Sequence, residues 1–195
     1  MIRIIFTILV VIFPLKTLAL IEVDITRGNL NPLPIAVSPL SIDENSKNSF
    51  QKILKKKNIG SEISTIVEKN LRTSGLFNPL DKDAFLQAPD IANLKPRFED
   101  WNLIKAQALI TGKVNFVDDK LRVEFRLWDV LAGKEMMALA FTTVPNNWRR
   151  VGHIITDKVY ERLTGEKGYF DTRIIYVSEE GPKTVSYTHL TLPTM

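Results

Sequence analysis

The sequence contains no cysteine. That excludes a disulfide framework, a thiolate nucleophile, a Cys-ligated metal centre and a lipid-modified Cys after a leader. Histidine is almost as scarce, with only His153 and His189 in 195 residues. General-base and metal-ligand chemistry therefore has few candidates. No apolar run reaches the roughly 20 residues that a spanning helix needs. The run from Ile4 to Leu15 is too short, and Pro14 interrupts it. Charge of one sign is also lacking. The net charge is +4, with no dense Lys/Arg stripe interleaved with aromatics, which disfavours nucleic acid as a partner.

What is present fits a folded domain. Hydrophobic residues make up 45% and charged residues 25%, too apolar for a disordered chain. The first 19 residues carry Arg3, then the apolar run, then small residues up to Ala19. This is the pattern of a Sec-type signal peptide over 1–19, and it predicts cleavage near Ala19 and a periplasmic location. Losing it removes Arg3 and Lys16 and no acid, taking the net charge from +4 to +2. Without disulfides, stability must come from the core.

After the leader, residues 21–26, IEVDIT, alternate apolar and polar side chains, the period of a half-buried strand. RGNLNP follows as a turn or linker. LPIAVSPL reads as a short or edge strand, because Pro34 and Pro39 cannot donate to a ladder. Residues 41–58, with KKKN at the end, read as a solvated loop. Ile59, Ile63, Ile66, Val67 and Leu71 form one helical stripe, with Ser61 as its cap and Gly75 as its stop. Asp81 is a candidate cap for a short turn, APDIANLKP reads as loop, and residues 97–106 read as a shorter helix.

The period then changes. ALITGKV opens a β region, and Asp118-Asp119 separates it from LRVEFRLWDV. Leu121, Val123, Phe125 and Leu127 share one face of that strand, while Arg122, Glu124, Arg126 and Trp128 share the other. A turn at Gly133-Lys134 leads to a third strand, giving an antiparallel meander. Residues 146–164 read as a closing helix capped by Asn146 or Asn147, with Gly165 just past its end. The expected fold class is α/β (α+β): a mixed sheet of about five strands, with two main helices covering one face.

Candidate chemistry is thin. Gly133-Lys134 lacks the rest of a phosphate loop and lies in a hairpin. Asp118, Asp119, Asp81 and Asp83 stand at turns without His or further acids at ligand spacing, so they read as turn-formers. His153 lies at the margin of a helix with no nucleophile beside it. No catalytic residue, cofactor or metal is expected, which favours a binding module over an enzyme. Leu20 to Thr26 could pair with its own sheet or with another protein's sheet edge, and composition alone favours an ordinary first strand. A small exported α/β enzyme or nucleotide-binding domain is the alternative of another class, supported only by fold analogy.

Several stretches, in this order and spacing, resemble the amino-terminal domain of the TolB family of the periplasmic Tol–Pal system. They are IEVDITRG after a leader, LPIAVSPL, LRTSGLFNPLD, ALITGKV and WRRVGHIITDKVYERLTGEKGYFDTRIIYVS. The resemblance covers about residues 20–178. It implies an α/β domain over 20–166, then, over 167–185, the first strand of a truncated six-bladed β-propeller, including Ile174, Ile175, Tyr176 and Val177, with the remaining blades expected to be missing. It also implies roles in outer-membrane integrity, cell division and colicin uptake. The implied partners are the C-terminal domain of TolA, through Leu20, Ile21, Glu22, Val23, Asp24, Ile25 and Thr26, and, in the full-length family, the lipoprotein Pal, through a propeller face that is expected to have no counterpart here. Residues 186–195 break with what precedes them and are expected to be non-native.

Overall fold

The structure, a computed structural model, describes residues 31–56 and 58–172. Its strands are β1 (Leu33–Val37), β2 (Ser41–Ile42), β3 (Phe77–Pro79), β4 (Ala108–Val117), β5 (Lys120–Asp129) and β6 (Lys134–Thr143). Its helices are α1 (Glu44–Leu54), α2 (Ile59–Thr73), α3 (Pro89–Leu94), α4 (Phe98–Leu103) and α5 (Trp148–Thr164). The strand order is β3-β1-β4-β5-β6, with β2 also on β4. β1 is parallel to both β3 and β4, and the β4–β5–β6 meander is antiparallel. The sheet is therefore mixed and the fold is α+β, with six strands among the described residues rather than five.

The meander forms where the alternation lies. Asp118 and Asp119 adopt φ of 49° and 58°, the doubly left-handed turn that suits a two-residue hairpin. Leu121, Val123, Phe125 and Leu127 are all buried on the helix side. The stripe Ile59, Ile63, Val67 and Leu71 faces them from α2, and Trp148, Val151, Ile155, Val159 and Leu163 do so from α5. The two helices approach closely at Gly152, where a Cβ would lie 2.9 Å from Ile66 Cγ2.

Four expectations change. β1 is short, with five residues, but it is an interior strand rather than an edge. Pro34 precedes Ile35, where pairing with β4 begins, so its missing N–H costs no ladder bond there. Residues 41–58 are mostly ordered. Asp43 accepts from Ser46 N and caps α1, whose Phe50 is fully buried edge-on to Phe116. The cap position of α2 is Asn58, not Ser61, and it makes no side-chain cap bond; Asn147, likewise, stands before α5 without capping it. APDIANLKP contains α3, which starts at Pro89, a favoured first helical position.

The two main helices, α2 and α5, share one face as expected, and the opposite face is covered too. Trp101, Leu109, Ala36, Ala106 and Val130 form a second, smaller cluster on the opposite face. Leu80 and Phe85 pack against it, so the segment between β3 and β4 roofs that side.

Candidate partner-binding elements

Leu20, Ile21, Glu22, Val23, Asp24, Ile25 and Thr26 lie outside the described residues. The structure does fix the start of β1, which follows them in the chain. Leu33 N donates to Leu76 O (2.9 Å), which anchors the start of β1. That start lies at the sheet end where β4 and β6 also begin. At about 3.5 Å per extended residue, Thr26 stays within about 25 Å of Leu33.

The other candidates have structural roles. Asp118 and Asp119 form the hairpin turn, and Gly133 (φ 62°) forms the next one. Asp81 Oδ1 accepts from Asp83 N and caps a 3₁₀ turn. His153 Nδ1 lies 2.9 Å from Asn70 Nδ2, and the same amide nitrogen donates to Thr156 Oγ1 (3.2 Å). This pairing ties α2 to α5. Among the described residues, no group of three or more His, Asp or Glu could hold a metal ion.

The surface has two further features. On the outer face of the meander, Arg122 hydrogen-bonds Glu124 and Lys113 stands 3.4 Å from it. The Arg122 bond holds the Glu124 carboxyl below its usual pKa against the opposing effect of burial. An open groove of 610 Å³ beside α1 and β4 mixes Asp43, Glu44 and Asp90 with Lys47 and Lys113. Its buried Ser46 already accepts from Phe116 N (2.8 Å), and the mixed signs around it give the groove no defined ligand chemistry.

The exit of the chain is built with more care than the sequence reveals. Asp157 accepts from Phe170 N (2.7 Å) and Asp171 N (3.0 Å). Arg150 grips Asp171 in a fork at 3.0 and 3.1 Å. Tyr169 and Phe170 stack at 4.5 Å and both meet Tyr160 edge-on. Gly168 is required, because a Cβ there would collide with Asp157. Residues 168–171 are therefore buckled to α5 before the chain continues. Ile174 to Val177, the expected propeller strand, lie outside the described residues. Only Gly168 gave a sequence signal for the buckle, and it reads equally well as an ordinary turn. Asp157→Ala should abolish exchange protection of the Phe170 and Asp171 amides while leaving α5 protected. Each lost charge-assisted bond is worth about 1.5–3 kcal/mol locally. Hydrogen exchange read by mass spectrometry or NMR checks it.

These features define a class: an α+β domain with a mixed sheet and a chain exit clamped along its last helix. The chain belongs to the TolB family, since the model of the TolB amino-terminal domain matches residues 21–136. It is 85% identical over 177 residues to the Tol-Pal system protein TolB of Pelagibacter ubique (strain HTCC1062), covering 91% of this chain. The chain spans 40% of the length of that relative. The crystal structure of TolB from Acinetobacter baumannii superposes with a TM-score of 0.56 at 21% identity, over 76% of this chain and 32% of that one. That likeness establishes the fold.

Proposed function

We propose that this chain serves the Tol–Pal envelope system as a non-enzymatic periplasmic adaptor whose segment Leu20–Thr26 engages the C-terminal domain of TolA. The observation that carries the reading is the family match, which begins at Ile21 and so takes in the alternating IEVDIT. The 85% identity to a Tol-Pal system protein supports the same role.

The mechanism is an exchange of β neighbours. Residues 20–26 alternate, so either face of the pleat can supply side chains to a groove while the backbone supplies the ladder. Main-chain hydrogen bonds are alike whether the segment pairs with its own domain or with TolA. Small differences in side-chain packing then set the balance, and a ligand shifts it only by its differential affinity for the two states. In full-length relatives, Pal on the propeller would bias that equilibrium.

Calorimetric titration of the TolA C-terminal domain against the chain, with and without residues 20–26, tests the proposal. Binding should disappear on deletion. Equal affinity for both forms would end it.

A further inference from the structure

The Lys-rich turn after α1 and the first turn of α5 meet at one corner of the domain. Lys56 Nζ lies 5.0 Å from the centroid of the Trp148 ring, and the Arg149 guanidinium carbon lies 4.5 Å from the same centroid. Trp148 is itself buried, so its ring is a fixed aromatic support for two cations. Lys52 and Lys55 stand exposed at the end of α1, and Arg150 follows Arg149. Two of the corner's cations are already paired with acids. Glu62 pairs with Lys56, and Asp171 pairs with Arg150. Among the described residues, no carboxylate pairs with Lys52, Lys55 or Arg149. The net local charge is positive.

The corner also exposes aliphatic side chains. Ile53, at the end of α1 beside Lys52, is 48% exposed. Val144 is 55% exposed and leads into the 3₁₀ turn Pro145–Asn147, which packs against α1. Exposed aliphatics among long-stemmed cations suit a surface that presents many phosphates above an apolar layer.

We propose that this corner docks on an anionic phospholipid surface. Lys52, Lys55 and Arg149 meet headgroup phosphates, while Ile53 and Val144 rest at the boundary below them. The attraction is electrostatic, and it fades within a Debye length and with added salt. It is independent of residues 20–26 and of TolA.

The test is co-sedimentation of the full chain with vesicles of phosphatidylcholine alone or with phosphatidylglycerol added. The apolar leader contributes to both, so the readout is the difference between the two vesicle types. The chain should prefer the anionic vesicles at low salt and lose that preference at high salt. Lys55→Glu/Arg149→Glu should reduce the preference by about tenfold or more. Lys105→Glu/Lys134→Glu makes the same charge change at the sheet end where β4 and β6 begin, away from Trp148, and should leave it nearly intact. Ile53→Ser should lower binding with the charge unchanged. Equal binding to both vesicle types, or equal losses in the two charge-reversed variants, would overturn the proposal. Capture of a polyglutamate peptide without any vesicle preference would also overturn it, by assigning the corner to an acidic polypeptide.

Discussion

Gly60→Ala is expected to destabilise the domain by about 3 kcal/mol or more, although alanine is the better helix former. Gly60 lies in the first turn of α2, directly under the bend that links β1 to β2. A Cβ there would overlap Leu40 O and stand 3.0 Å from Leu40 C. These are backbone atoms, so no rotamer change relieves the contact. The bend cannot retreat either. Ser64 Oγ accepts from Leu40 N at 3.0 Å and reaches Ser38 O at the same distance, pinning both sides of Pro39 to α2. Urea unfolding followed by Trp fluorescence measures the loss. A midpoint matching the parent would mean that α2 does not seat against this bend.

Trp101→Ala should cost about 3–5 kcal/mol. The indole is 1% exposed and lies edge-on to Phe85 at 5.0 Å. Its Nε1 donates to Gln87 Oε1 at 2.7 Å, and that oxygen also accepts from Arg97 N at 3.0 Å. Truncation would open a cavity on the outer face and strip a buried acceptor of one donor. The damage should also be uneven. The segment between β3 and β4 should gain hydrogen exchange first, while α2 and α5 stay protected on the other face. Thermal unfolding together with exchange reads both effects. An unchanged unfolding temperature would remove Trp101 from the core.

The sequence declared the parts of the fold whose pattern is strong and local. The α2 and α5 stripes and the alternation of β5 put one face of each element into the core, and periodicity reports that directly. Elements held by their neighbours were harder to read. α1 is mostly polar, and its one fully buried large side chain, Phe50, gives no period. β3 is three residues long and ends on Pro79, and it exists because β1 lies beside it. Pro34 misled because its place before the ladder with β4 depends on register, which a proline by itself does not disclose. The second cluster has no local signature, because Trp101, Leu109 and Val130 come from separate segments. The candidate segment 20–26 was legible only through its alternation and the family likeness. The buckle at Asp157 joins residues thirteen and fourteen positions apart, which no short motif records.

The pairing of β1 bears on how the chain is made. β5 and β6 each meet a neighbour almost as soon as they are synthesised, whereas Ile35 waits for Ala108, roughly seventy residues later. At about 5–20 residues per second that is a delay of roughly 4–14 s on the ribosome. Through that interval the front of the chain cannot close its sheet. That lateness keeps the front of the chain pliable until its last partner in the sheet arrives.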